Sequence, residues 1–168
     1  LVLVSTECGG AKGIRVEPGV LFEFHGGEPP VPGSARRSFF LTAEWLKENP
    51  GSAGDIFGTL GREPDGPGLE RQAEAVREWS GACERLPGIT NPTLVITGTD
   101  DIVILPENAR VLSELIPDST LVTVEGGGHG FLLQFPGELG LAVRRFLDRG
   151  WRCGEPRLSG SHGTGGAG

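Results

Sequence analysis

The feature that most constrains this chain is the alternation of short apolar runs with amphipathic segments between residues 93 and 149. A β-branched run, TLVIT, covers 93–97, and a second run, TLVTV, covers 120–124. Helical periodicity begins at Pro106, between the two runs, and returns over 136–149. Strands that alternate with helices form βαβ units. The sequence therefore predicts an α/β fold with a mostly parallel sheet.

The first residues, LVLVS at 1–5, form an unbroken apolar run, which is typical of a strand buried on both faces of a parallel sheet. The chain contains no Met, and residue 1 already lies inside this run. A domain rarely begins within a core strand, and the basic start and longer apolar stretch of a signal peptide are not present. We therefore expect these 168 residues to be the C-terminal part of a longer polypeptide.

The middle of the chain, from about residue 12 to residue 88, is broken by Gly- and Pro-rich stretches at 26–33 and 61–68. Each stretch precedes a predicted helix, over 34–49 and over 69–80. In the second of these helices, one apolar face is expected to point inward: Leu69, Ala73, Val76 and Trp79. In the last helix of the chain, the residues expected to point inward are Leu139, Val143, Phe146 and Leu147.

Composition excludes several classes of partner. The chain has 22 acidic and 15 basic residues and a formal net charge of -7, whereas nucleic acids and anionic membranes require a basic face. No apolar run approaches the ~18 residues that a membrane span needs, so we expect a soluble protein. Residues 150–168 are Gly-rich and show no periodicity, so we expect a disordered tail.

The number and spacing of the cysteines indicate the redox state of the cellular compartment. Cys8, Cys83 and Cys153 are odd in number and widely spaced, and no CxxC occurs. This pattern is neither a disulfide framework nor a zinc site. A reducing cytoplasm is the expected location.

Candidate catalytic groups follow both late strands. Gly98-Thr99-Asp100-Asp101 comes after the first, and the turn EGGGHG, which contains His129, comes after the second. Binding sites in open parallel sheets form at the carboxyl ends of strands, so both loops are expected on one edge. There, an Asp carboxylate can accept the imidazole Nδ1–H and stabilise the imidazolium. Taken separately, the two aspartates also fit a solvated turn, and His129 also fits an ordinary loop residue.

The stretch PTLVITGTDDIVILPENARVLSELIPDSTLVTVEGGGHGFLLQFP, residues 92–136, resembles the C-terminal part of the α/β-hydrolase fold superfamily, in its esterase- or lactonase-like branch. The resemblance implies that Asp101 is the catalytic acid and His129 the catalytic histidine, with Asp100 as the alternative acid. It implies a partial α/β-hydrolase fold over residues 1–149, with about 12–88 as a small helical cap. It implies no cofactor and no metal.

The nucleophile of that family is missing from the sequence. Its Ser lies in a G-x-S-x-G turn between a strand and a helix, and no such motif occurs here. Residues 50–54, PGSAG, begin with Pro and follow a predicted helix. Ser5 and Cys8 lack the pattern, and Ser161 comes after the histidine, in the wrong order. His25 begins HGG, like an oxyanion loop, but only ~26 residues separate it from Gly51, too few for the intervening elements.

Two functions remain open from the sequence. The resemblance implies a hydrolase of a small ester, lactone or related acyl substrate, here without its nucleophile half. The alternative is a catalytically inactive, truncated or degenerate fragment that acts as a binding module and self-associates through an exposed sheet edge. Pairing with a separate N-terminal chain is a third idea. Four aromatic residues are candidates for an acyl pocket but also fit an ordinary core: Phe39, Phe40, Trp45 and Trp79.

Overall fold

The computed structural model describes residues 1–17, 20, 39–52 and 67–149. Several sequence predictions fall outside these ranges. They include the tail at 150–168, the start of the predicted helix at Ser34, and His25. The division into a cap over 12–88 and a hydrolase domain over 1–149 stays a prediction.

Three parallel strands form one sheet in the order β1–β2–β3. The strands are β1 (Val2–Val4), β2 (Thr93–Gly98) and β3 (Ser119–Val124). Val95 in the central strand pairs with Leu3 on one side and with Leu121 on the other. The prediction of an α/β fold with a parallel sheet is confirmed. The carboxyl ends of β2 and β3 lie side by side, where the candidate groups were expected.

Five helices and two 3-10 turns complete the described structure. The helices are α1 (Ala43–Glu48), α2 (Pro67–Glu78), α3 (Pro106–Leu115), α4 (Phe131–Gln134) and α5 (Pro136–Arg149). The 3-10 turns are Gly10–Lys12 and Cys83–Gly88. Pro106 begins α3, where its missing N–H costs no hydrogen bond. Of the helices in these ranges, none is both long and apolar enough to cross a bilayer.

The core lies on both faces of the sheet. Successive side chains of a strand point to opposite faces, so β2 sends Val95 to one side and Leu94 and Ile96 to the other. On the first side, Val95 packs in a buried cluster with residues of α3, among them Ala109 and Leu112. The second cluster contains residues of β2, β3, α4 and α5: Leu94, Ile96, Val122, Val124, Phe131, Ala142 and Phe146. Every residue of β2 is buried, and this two-sided packing fixes where its end lies.

The helix predicted over 34–49 is shorter in its described part. Regular helix covers Ala43–Glu48, and Leu41 and Thr42 interrupt it. Leu41 is fully buried. Residues 41 and 42 thus form a short non-helical connection just before α1.

Two predicted inward faces differ in the structure. Val76 and Trp79 of the α2 segment are 45% and 39% exposed, and the side chains of Leu69 and Ala73 lie outside the described part of the chain. In α5, Leu147 is 70% exposed, and Ala142 is fully buried instead. Ala142 lies one helical turn before Phe146, so the buried stripe passes through 139, 142, 143 and 146.

Cys8 and Cys83 form a disulfide with Cα atoms 5.0 Å apart and a sequence separation of 75. The prediction that the cysteines form no disulfide is wrong for this pair. The loop after β1 lies against the 3-10 turn before β2, and Ala82 N–H donates to the Cys8 carbonyl over 2.7 Å. Spatial neighbours at this separation cannot be recognised from cysteine spacing. The cysteines therefore no longer support a reducing compartment.

Candidate active site

Asp101 lies three residues past the end of β2 and is 1% exposed. Its Oδ1 accepts hydrogen bonds from the backbone N–H groups of Val103, over 2.9 Å, and Ile104, over 2.8 Å. Bonds from backbone N–H groups to a carboxylate are strong and directional. The loop after β2 thus holds the carboxylate in one orientation and leaves Oδ2 pointing at a neighbour.

That neighbour is His129, in the loop after β3. Its Nδ1 lies 3.0 Å from Asp101 Oδ2, and its side chain is 18% exposed. Because an ionised carboxylate only accepts hydrogen bonds, Nδ1 carries the hydrogen and Nε2 carries the basic lone pair. The structure brings together the two residues that the sequence singled out. Their catalytic role stays a prediction.

The alternative acid, Asp100, has a different environment. Its side chain is exposed, and its Oδ1 accepts a hydrogen bond from the Thr99 hydroxyl over 2.9 Å. The carboxylate that contacts His129 belongs to Asp101, as the resemblance implied. The first of the two aspartates fits the solvated turn considered from the sequence.

The loops after β2 and β3 are bonded directly to each other. The backbone N–H of Asp100 donates to the Gly127 carbonyl over 2.9 Å, and that of Thr99 donates to Val124 over 3.0 Å. The Gly126 N–H donates in return to the Thr99 hydroxyl over 2.9 Å. These bonds fix the distance between the acid and the histidine from the backbone upward.

Close approach of the two loops requires glycine at position 98. A Cβ placed on Gly98 would lie 2.1 Å from the Gly127 carbonyl oxygen. We expect Gly98→Ala to force the loops apart and lower the free energy of unfolding by about 1–3 kcal/mol. Urea unfolding measures this change. Gly137→Ala is the control, because a Cβ there meets nothing within 4 Å. Equal stability of the two variants would contradict the proposed close approach.

The segment 39–42, just before α1, packs against the histidine loop. The Phe40 ring centroid lies 5.8 Å from that of His129, and the Phe40 carbonyl accepts the Gly130 N–H over 2.7 Å. A Cβ on Gly128 or on Gly130 would lie 2.9 Å from the same carbonyl oxygen. Because Gly128 and Gly130 have no side chains, segment 39–42 can pack closely against the histidine loop.

The four aromatic candidates for an acyl pocket lie in different places. Phe40 is in contact with the His129 ring, and Phe39 is buried. Trp45 is half-buried on α1. The Trp79 ring lies over Gly9, where a Cβ would come within 2.5 Å of it. Of these four, Phe40 has the clearest placement for touching a substrate.

The described candidate nucleophiles lie in different local structures. Cys8 is in a disulfide, so it is not a free thiol. Pro50 and Gly51 form a turn after α1, which is not a strand–turn–helix. Ser5 directly follows β1 with a φ of 40°, and its buried hydroxyl has no hydrogen-bond partner among the described residues. Ser161 lies outside those residues.

Sequence reasoning missed Gln134 and Thr42. Gln134 is 7% exposed, and its Oε1 accepts the Gly128 N–H over 2.7 Å. Its Nε2 donates to the Thr42 hydroxyl over 3.1 Å. A polar residue inside the apolar run FLLQF is a signal that could have marked Gln134. Nothing in the sequence marks Thr42, which is 92 residues away.

A further carboxyl group follows β1. Burial raises the pKa of Glu7, and the positive charge of Arg15 opposes this shift. In the described ranges, no group of three or more His, Cys, Asp or Glu is placed to hold a metal ion.

A parallel sheet with a buried acid after one strand and a histidine after the next is the arrangement of the α/β hydrolases. A family model described as TAP-like protein matches residues 72–152. The RutD protein of Pseudomonas syringae, a proposed carbamate hydrolase, is 33% identical over 114 residues, which are 67% of this chain and 44% of RutD.

Solved structures of other proteins share this fold. An esterase from Thermogutta terrifontis superposes with a TM-score of 0.67 at 21% identity, covering 88% of this chain and 54% of the esterase. An esterase from a Rhodococcus species gives 0.65 at 26% identity, with 88% and 55% covered. The chain belongs to the α/β-hydrolase superfamily. It spans about half the length of the relatives it matches.

Proposed function

We propose that the protein is the acid- and histidine-bearing part of a serine hydrolase that cleaves a small ester or related acyl compound. The observation that carries this proposal is the 3.0 Å contact between His129 Nδ1 and Asp101 Oδ2 at the ends of two adjacent parallel strands. The buried carboxylate with two backbone N–H donors supports an orienting role. Family membership supports the reaction class.

In the proposed reaction, His129 Nε2 takes the proton from a serine hydroxyl as the serine oxygen attacks the acyl carbon. The imidazolium then gives that proton to the leaving group, and an acyl-enzyme forms. A water molecule is activated by Nε2 in the same way, and its attack releases the acid and restores the serine. Asp101 stabilises the imidazolium through the Nδ1–H bond in both steps.

The serine would come from outside these 168 residues. The sequence contains no G-x-S-x-G motif, and the chain covers only 44% of RutD and 54–55% of the two esterases. The uncovered half of such relatives has room for the remaining strands, the nucleophile turn and the oxyanion hole. A segment encoded before Leu1 is the simplest source, and a separate chain is the other.

The substrate class follows from the neighbourhood of the histidine. The Phe40 ring next to His129 offers an apolar surface to an acyl group or a leaving group. The names of the similar proteins cover esters and a carbamate, and both classes are cleaved by attack on an acyl carbon. We assign the chain to that reaction type, with a small ester, lactone or related acyl substrate.

The test compares p-nitrophenyl acetate turnover by the 168-residue chain and by a version that includes the residues encoded upstream of Leu1. We expect turnover and fluorophosphonate labelling only in the extended protein. His129→Ala is expected to lower its kcat by about 10⁴-fold or more. An extended protein that neither turns over nor labels overturns the proposal.

The second candidate function is an inactive binding module. It is favoured by β1, which pairs in the described ranges with β2 alone and so offers its other edge to another strand. Self-association of the 168-residue chain in analytical ultracentrifugation, together with no turnover by the extended protein, supports it. If the 168-residue chain itself turns over and His129→Ala abolishes this, the nucleophile lies within the chain.

A further inference from the structure

Gln134 uses both ends of its amide between the histidine loop and the segment 39–42. Its Oε1 accepts the N–H of Gly128, the residue before His129, over 2.7 Å. Its Nε2 donates to the Thr42 hydroxyl over 3.1 Å, and that hydroxyl donates to the Gly126 carbonyl over 3.4 Å. Burying an amide group without hydrogen bonds costs free energy. Breaking this bridge would therefore lower the stability of the folded chain.

The histidine loop is thereby attached to segment 39–42 on both sides of the ring. On one side, Gly130 N–H donates to the Phe40 carbonyl over 2.7 Å. On the other side, Gln134 links Gly128 to Thr42. The backbone at 128 and 130 determines where the Cβ of His129 points, and thus where its Nδ1 lies relative to Asp101.

We infer that Gln134 is a positioning residue that holds the His129 ring with Nδ1 toward Asp101 and couples that orientation to segment 39–42. A movement of the segment, for example when a substrate contacts Phe40, is transmitted to the histidine loop through Thr42 and Gln134. The inference deepens the proposed function because it concerns the same site. Its test reads the imidazole and not turnover, so either can fail alone.

The measurement is the ratio of the Nδ1–H to the Nε2–H tautomer of His129, from ¹⁵N shifts of the imidazole in the full chain at about pH 8.5, where an ordinary histidine is neutral. His129→Gln identifies its signals among the three histidines. We expect the Nδ1–H tautomer to dominate in the wild type. Gln134→Met removes both hydrogen bonds, and we expect the ratio to fall by about fivefold to tenfold.

Asn108→Leu is the matched control. Asn108 is also a buried amide, at 1% exposure, and its two ends bond the backbone N–H and carbonyl of Ile14, both over 2.8 Å. We expect its loss to lower Tm as much as Gln134→Met does, with an unchanged tautomer ratio. If both variants change the ratio equally, the effect is one of stability and the inference is wrong.

Gln134→Glu tests the same point without removing the acceptor. A carboxylate accepts the Gly128 N–H, and the Thr42 hydroxyl can turn to donate to it, so we expect the ratio to stay within about twofold of the wild type. Should Gln134→Met not fold, Thr42→Val serves, with an expected fall of about threefold. An unchanged ratio in a folded Gln134→Met or Thr42→Val variant overturns the inference.

Discussion

Asp101→Asn is expected to lower kcat of the active hydrolase by about 10⁴-fold and to leave the fold intact. Val103 and Ile104 donate their N–H groups to one side-chain oxygen of residue 101, so an Asn must keep its oxygen there. Its NH₂ group then faces His129 Nδ1, over a contact of 3.0 Å in the wild type. Nδ1 becomes an acceptor, Nε2 carries the hydrogen, and the imidazole can no longer take a proton from a serine.

The change is measured as kcat, with kcat/KM alongside, on the extended protein, and as the reversed tautomer in imidazole ¹⁵N spectra of the 168-residue chain. Asp100→Asn is the matched control, because that side chain is exposed and bonded to Thr99. We expect it to change kcat/KM by less than about twofold. A large loss in Asp100→Asn, with normal turnover in Asp101→Asn, would show that the catalytic acid is Asp100 and not Asp101.

Loss of the Cys8–Cys83 disulfide is expected to lower the free energy of unfolding by about 4.5 kcal/mol at 25 °C. The bond closes a separation of 75 residues, and the chain-entropy treatment gives about this value for such a loop. Urea unfolding of the wild type with and without a reducing agent measures it. The mechanism is a larger entropy of the unfolded chain when the bond is absent.

The double variant Cys8→Ala/Cys83→Ala is the control, since we expect no further effect of the reducing agent on it. Alkylation followed by mass measurement is expected to find one reactive thiol in the unreduced, denatured wild type and three after reduction, because the chain has three cysteines. Three reactive thiols before reduction, together with an unfolding midpoint that reducing agent does not move, would show that the bond does not form.

The strand pattern was sufficient to predict that an aspartate at 100 or 101 lies near His129, and the resemblance to the α/β hydrolases selected Asp101. Asp101 and His129 each follow an apolar, β-branched run, and parallel strands joined by one helix have neighbouring carboxyl ends. The same periodicity predicted the sheet and placed α5 at its observed bounds, 136–149. These features depend on local patterns and on one topological rule.

Features that depend on distant contacts were not predictable. The bridge from Gln134 to Thr42 spans 92 residues, and the disulfide spans 75, and neither separation has a local signal. Periodicity identified the apolar face of α2 but not what covers it, and Val76 on that face is exposed. Helical spacing also did not reveal the interruption at Leu41 and Thr42.

The disulfide has a consequence for how such a protein can diversify. Its two half-cystines lie near the two ends of the stretch of chain between β1 and β2, and they hold the ends of that stretch together. Insertions or replacements within it therefore leave the pairing of the two strands undisturbed, because lengthening a closed loop costs little. Residues 39–42 within the stretch are the exception, because their hydrogen bonds tie them to the histidine loop.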